Sequence, residues 1–405
     1  MGSSKQQNNN MSGVKKIQTI TPNSQLRTPH CILIVAGEAS GDLHGSNLIK
    51  AMQEIDQSLV FYGIGGEKMK SLGFNAIEDS RELAVVGISE VIFKLGRLYA
   101  AFNKLKKVLD EKRPDVVVLI DFPDFNLHFA NAVKKRGIPI VYYISPQVWA
   151  WRKGRVKKIA RLVDKMLVIF PFEVDIYKKA GVDVEYVGHP LAATVSCQLS
   201  KDDALADLGI ARYPTVVLLP GSRRHEITRL LPVMLIAAAM IKKEIKDVQF
   251  ILPAAETIED NFLKGFMSSN TQVKIVRGKL YEALKASDAA IAVSGTVTLE
   301  TALMEIPMVI VYKLSFLTAI MGRIFVHIDH VGLPNIVAGR RIVPELIQKD
   351  ATPSAIAENS LRILKDKNER DKIISGLKEV GRKLGNRDAS KIAAEKIYAF
   401  LRSSS

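Results

Sequence analysis

Two kinds of segment alternate along the chain. Short uninterrupted apolar runs, rich in β-branched residues, recur at 30–36, 59–64, 116–120, 138–144, 167–170 and 184–187. Between them lie stretches with apolar residues at helical spacing, such as Leu43, Leu48, Ile49 and Met52. Apolar runs without alternation fit parallel strands buried on both faces, and the amphipathic stretches fit the helices that cover them. A polar stretch at about 191–213 interrupts the pattern, which then restarts with strands at 215–219, 248–252, 273–276, 289–293 and 308–311. Helical spacing returns at 281–286, from 297 onward, and at 343–348, 355–365, 371–384 and 388–401. This order predicts an α/β chain of two Rossmann-like, doubly wound domains facing a cleft. The expected boundaries are 29–195 for the first domain and 196–385 for the second. Residues 386–405 form a C-terminal helix. The polar, low-complexity segment 1–28 reads as a disordered N-terminal extension.

Composition adds the class of partner. With 405 residues, 47% hydrophobic and 24% charged, the chain is long enough for large cores and needs no disulfides. Its two cysteines, Cys31 and Cys197, have no metal or redox spacing, which fits a reducing, cytosolic compartment. The net charge of +15 calls for an anionic partner. No apolar run reaches the roughly 18 residues of a membrane span.

The candidate chemistry sits where strands end. The run 116–120 breaks into Asp121 and Asp124, with Pro123 between them and Asn126 just beyond. In open α/β sheets ligands bind outside the carboxyl ends of the strands. Asp124 is equally explained as a helix cap, whereas Asp121 comes straight off the buried strand. After the first strand, the loop Gly37-Glu38-Ala39-Ser40-Gly41-Asp42 offers Glu38, Ser40 and Asp42 to a ligand or a cap. It matches neither the dinucleotide nor the Walker glycine pattern. In the second half Gly221-Ser222-Arg223 and Ser294-Gly295-Thr296 each leave a strand and enter a helix, as phosphate loops do. Arg223 is suited to a diphosphate, and Glu300, one turn after Thr296, to ribose hydroxyls. His327, Asp329 and His330 have no metal-site spacing, and G-x-S-x-G is absent. The layout is that of a glycosyltransferase with a nucleotide-sugar donor. Asp121 would be the general base, and Arg223 with helix dipoles, rather than a metal, would stabilise the leaving diphosphate.

Two stretches leave the partner open. Residues 83–109 hold too many apolar side chains for one helix stripe, with Lys94, Arg97, Lys104, Lys106 and Lys107 interleaved. They fit a helix packed on the sheet or a basic-rimmed patch that touches lipid. From Lys134 to Arg161 there are nine Lys or Arg and no acid, with Trp149 and Trp151 inside the run. Nucleic acid, a membrane interface and a solvated basic helix all fit.

Seven blocks in order carry a family resemblance: VAGEASGD (35–42), ELAVVGISEV (82–91), IDFPDFN (120–126), SPQVWAWR (145–152), LPGSR (219–223), SGTVTLE (294–300) and GLPN (332–335). From about Cys31 to the C-terminus the chain resembles lipid-A-disaccharide synthases, inverting glycosyltransferases of the two-Rossmann GT-B fold. The resemblance implies transfer of 2,3-diacylglucosamine from UDP-2,3-diacylglucosamine to 2,3-diacylglucosamine 1-phosphate, giving a β-1,6 disaccharide and UDP with no cofactor. It implies that Asp121 is the catalytic base; Asp124, counted with Glu38, Ser40 and Asp42 among the acceptor-cleft residues, is expected as a helix cap or a support. Arg223, Glu300 and Asn335 match donor-site positions, and the GEASGD loop lies near the acceptor. Phe122 stands where relatives often have alanine. Because both substrates carry acyl chains, 83–109 becomes a lipid-docking surface through Val91, Ile92, Leu95 and Leu98. The basic run then faces anionic headgroups or the acceptor's phosphate, not nucleic acid. The implied location is the cytoplasmic face of the inner membrane, held peripherally. A different GT-B transferase or a nucleotide-sugar epimerase would share the UDP site. A non-catalytic binder of anionic lipid or RNA would leave Asp121, Arg223 and Glu300 together unexplained.

Overall fold

The structure is a computed structural model that describes residues 30–83, 91–146, 154–267, 272–313 and 329–404; of 91–95 and 404 only the backbone is described. The expected extension 1–28, Trp149, Trp151, His327 and the side chains of Val91, Ile92 and Leu95 lie outside the described residues.

Among the described residues, the first sheet has seven strands: β1 Cys31–Ala36, β2 Val60–Gly65, β3 Asn75–Asp79, β4 Val116–Ile120, β5 Ile140–Tyr143, β6 Lys165–Val168 and β7 Val184–Tyr186. Their order is β3-β2-β1-β4-β5-β6-β7. The second has six: β8 Thr215–Leu219, β9 Gln249–Ala254, β10 Val273–Arg277, β11 Ala289–Val293, β12 Met308–Tyr312 and β13 Glu345–Ile347, ordered β10-β9-β8-β11-β12-β13. Every pairing is parallel. The β-branched runs explain this, since central strands such as β4, β8 and β11 are buried at every position. In β1, Ile32 and Ile34 face a core under helix Ala39–Ile55, while Leu33 and Val35 face one under helices Val91–Lys112 and Pro123–Lys134.

Two elements differ from the sequence reading. The stretch 343–348, expected as a helix, contains strand β13, which adds to β12 through pairs such as Val311 with Leu346. Pro344 lacks the N–H a helix interior needs, and the open edge of β12 offers a ladder instead. Strand β3 escaped notice because Asn-Ala-Ile-Glu-Asp is a half-polar edge strand without an apolar run.

The chain returns to the first sheet at its end. Helix Ala389–Ser404 packs along helix Ala39–Ile55. The Tyr398 hydroxyl donates to the Asp56 carboxylate at 3.2 Å, and Tyr186 Oη donates to the Leu384 carbonyl at 2.7 Å. Among the described residues no helix is long and apolar enough to cross a membrane.

Candidate active site

Each sheet reverses its strand order beside its first strand, and ligands of open α/β sheets bind at such switch points. In the first sheet β1 and β4 are neighbours, with Ala36 opposite Ile120. The loops 37–40 and 121–123 therefore open side by side, one feeding a helix on each face. Gly37 has to be glycine here, because a Cβ would sit inside the Phe122 ring.

Asp121 and Phe122 are both left-handed, at φ +45° and +47°. Two such non-glycine residues store strain of about 1–3 kcal/mol each and persist only where the surroundings hold them. Here the Asp121 carbonyl is held twice: Tyr142 Oη donates to it at 2.6 Å and Asn126 Nδ2 at 2.7 Å. Asn126 is fully buried, so this clamp is rigid. Burial raises the Asp121 carboxyl, and the nearby Glu38 charge raises it further, against a lowering hydrogen bond from the Phe122 N–H; it stands at about 6. A carboxylate so placed is a stronger base than an ordinary one and still largely ionised at neutral pH.

The other acids of this half divide. Glu38 is exposed and near enough for its charge to act on Asp121, and Ser40 is exposed in the first turn of its helix. Asp42, expected to offer its polar atoms to a ligand, is instead a buried strut: its carboxylate accepts the N–H groups of Gly66, Met69 and Lys68 at 2.7, 3.1 and 3.1 Å. It therefore caps a neighbouring helix, an arrangement that satisfies donors otherwise orphaned. Asp124 is not a cap: the residue before the first turn is Phe122, without a side-chain cap bond. Asp124 is exposed and ion-pairs with Arg155.

In the second sheet β8 and β11 are neighbours, with Leu219 opposite Ala292. The loops 220–223 and 294–296 consequently share a cavity of about 660 Å³, also lined by Glu226, Tyr281 and Glu300. Gly221 adopts φ +109°, and a side chain there would strike the Glu226 carboxylate. Arg223 lies 3.5 Å from Glu226 with its side chain 71% exposed, so the guanidinium remains open to a ligand. Ser294 Oγ donates to the Val331 carbonyl at 3.0 Å. Thr296 begins helix Thr296–Leu303 at the cavity rim, where a helix N-terminus favours an anion. Burial raises the Glu300 carboxyl, offset by Tyr281 Oη, which donates to it at 3.1 Å.

Asn335, expected at the donor site, does not line this cavity. It is fully buried, and its amide joins helix Leu333–Ala338 to the segment before β13. Asn335 Oδ1 accepts from the Ile342 and Val343 N–H groups at 2.7 and 3.0 Å, and Nδ2 donates to Glu345 at 2.7 Å. Glu345 in turn accepts the Val331 and Gly332 N–H groups. Asn335 thus reaches the cavity only through the backbone that Ser294 touches. Among the described residues no group of three His, Cys, Asp or Glu could hold a metal ion.

Sequence reasoning missed Asn126, Tyr142, Glu226 and Tyr281 as parts of the site. A signal existed for Tyr142, whose hydroxyl interrupts an apolar strand and needs a partner when buried.

The family model for lipid-A-disaccharide synthetase matches residues 32–397. The chain belongs to this family. A lipid-A-disaccharide synthase from Geobacter metallireducens is 49% identical over 365 residues, covering 90% of this chain and 95% of that protein. One from Syntrophus aciditrophicus is 48% identical over 366 residues, covering 90% and 96%. Among solved structures, the UDP-GlcNAc 2-epimerase from Neisseria meningitidis bound to UDP-GlcNAc has a TM-score of 0.63 at 12% identity, covering 91% of this chain and 100% of that one. The calicheamicin glycosyltransferase CalG4 has a TM-score of 0.58 at 12% identity, covering 93% and 99%. These distant likenesses show the fold, two parallel-sheet α/β domains of GT-B type. As a lipid-A-disaccharide synthetase family member, the chain is a glycosyltransferase of lipid A biosynthesis.

Proposed function

We propose that the chain joins the 2,3-diacylglucosamine of UDP-2,3-diacylglucosamine to O6 of 2,3-diacylglucosamine 1-phosphate, forming the β-1,6 disaccharide 1-phosphate and UDP. Asp121 takes the O6 proton as O6 bonds to the donor's anomeric carbon. The bond from that carbon to the diphosphate breaks, and its electron pair leaves with UDP. Gly221, Ser222 and Arg223, with Ser294, Gly295 and the helix start at Thr296, hold the diphosphate, and Glu300 holds the ribose. Glu38 and Ser40 border the acceptor. The observation that carries this reading is Asp121, clamped in a strained turn at a switch point with its carboxyl at about 6. At pH 7 roughly nine-tenths of such a group is ionised and ready to accept a proton.

Mixing the protein with both glycolipids should give UDP and a disaccharide phosphate by mass spectrometry. UDP released from the donor alone, without disaccharide, would favour epimerase-like chemistry and sink this assignment.

The protein is peripheral to the inner membrane's cytoplasmic face and has no nucleic-acid partner. Support comes from helix Val91–Lys112, where Tyr99 is 69% exposed and Leu98 packs half-buried against the core. Val91, Ile92 and Leu95, whose side chains lie outside the described residues, belong to the same proposed acyl-contacting stretch by sequence. Serine at Val91, Ile92, Leu95 and Leu98 together should release the protein from sedimenting membranes; unchanged sedimentation would end the docking idea.

A further inference from the structure

One basic cavity remains outside the machinery described so far. Helices Pro123–Lys134 and Gly154–Leu162 pack together and leave about 370 Å³ between them. Asp124 and His128, one turn apart on the first helix, line it with Arg155 and Lys158 of the second. The second helix, GRVKKIARL, carries no acid at all. The Arg155 side chain is only 19% exposed and its partner is the exposed Asp124 carboxylate. The side chains of Lys158 and His128 have no ion-pair or hydrogen-bond partner among the described residues.

A carboxylate on an arginine fork occupies the place that a phosphate oxygen would take. The cavity also stands close to the proposed base. Tyr142, whose hydroxyl holds the Asp121 carbonyl at 2.6 Å, feels the charges of both Asp121 and Arg155. Asp121 leaves β4 two residues before helix Pro123–Lys134 begins, and Asp124 stands in the first turn of that helix, so the cavity opens at the helix end that Asp121 leads into.

We propose that this cavity seats the acceptor's 1-phosphate, gripped by Arg155, Lys158 and His128 after Arg155 exchanges Asp124 for the phosphomonoester. The proposal rests on the transfer reaction above. O6 and the 1-phosphate are carried by C6 on C5 and by C1, the two carbons that flank the ring oxygen, so an acceptor with O6 at Asp121 has its phosphate within about one ring's reach, and the pocket would select a phosphorylated acceptor and fix its register.

The test compares acceptors with and without the 1-phosphate. Arg155→Ala/Lys158→Ala should raise KM for the phosphorylated acceptor about 100-fold with kcat little changed. Its KM for the dephosphorylated acceptor should stay that of the unaltered protein. Asp124→Asn should act in the opposite direction and lower the phosphorylated acceptor's KM, because Arg155 no longer has a competitor. An unchanged preference for phosphate in the double variant would overturn the proposal. So would reduced binding to phosphatidylglycerol vesicles at unaltered acceptor KM, which would make the cavity a headgroup site. If the unaltered protein forms no disaccharide with either acceptor, the transfer reading itself falls. Calorimetry with glucosamine 1-phosphate then judges the cavity separately: binding lost in the double variant upholds it, and binding equal in both overturns it.

Discussion

Replacing Asp121 by Asn tests catalysis and stability with one atom change. The carboxyl stands at about 6 against an ordinary 3.8, chiefly because it is buried and then because Glu38 is near. Ionising it in the folded protein is therefore disfavoured by roughly 1–3 kcal/mol, the lower part of the range allowing for partial exposure of the turn. The folded state binds this proton more tightly than the unfolded chain. Relative to the Asn variant, the unaltered protein should lose stability as pH rises from near 4 to about 6, and the gap should then stay level. Urea unfolding at several pH values reads this difference. Asn also suits a left-handed turn slightly better, but that offset does not vary with pH. Turnover, followed as UDP release, should fall about 10²- to 10⁴-fold while UDP binding persists. Full turnover in Asp121→Asn would refute the assignment of the base, and a stability gap without pH dependence would refute its raised pKa.

Glu38→Gln removes a neighbouring charge, so the acid limb of the pH–rate profile should move to lower pH; a limb that stays in place would mean Glu38 does not tune Asp121. Gly37→Ala should lower turnover by about tenfold by pushing the Phe122 ring and the Asp121 turn out of place, and Gly37→Ala/Phe122→Ala should recover most of it. Asn335→Ala leaves the buried Ile342 and Val343 N–H groups unpaired and should cost about 2–4 kcal/mol in urea unfolding, against near-neutral behaviour for an exposed position.

How much of this was legible depended on whether a residue's partner lies near it in sequence. The buried strands announced themselves because β4, β8 and β11 bury every position and so carry no polar alternation. Their neighbouring loops followed from strand-end logic, which put Asp121, Gly221 and Thr296 at strand ends; the pairings of β1 with β4 and of β8 with β11 make those ends switch points. The fate of Asp42 could not be read, because its partners Gly66, Lys68 and Met69 belong to another loop. Asn335 looked like a ligand contact for the same reason: its four hydrogen bonds reach Ile342, Val343 and Glu345. Strand β13 was hidden because only the free edge of β12 makes that short segment extended.

The two switch points share a backbone plan and carry opposite chemistry. At the first, burial and the Glu38 charge make a carboxylate reluctant to stay ionised, so gaining a proton relieves the site. At the second, Arg223 and the start of helix Thr296–Leu303 favour gaining negative charge. Glycosyl transfer delivers a proton to one side of the reacting carbon and a diphosphate charge to the other. On the proposed roles of Asp121 and Arg223, each half of the fold is relieved by the product of the step beside it. Neither site needs the other to acquire its own electrostatics. The first is set by the pairing of β1 with β4, and the second by the pairing of β8 with β11. What remains for the relative placement of the two sheets is geometry: bringing O6 in line with the departing diphosphate.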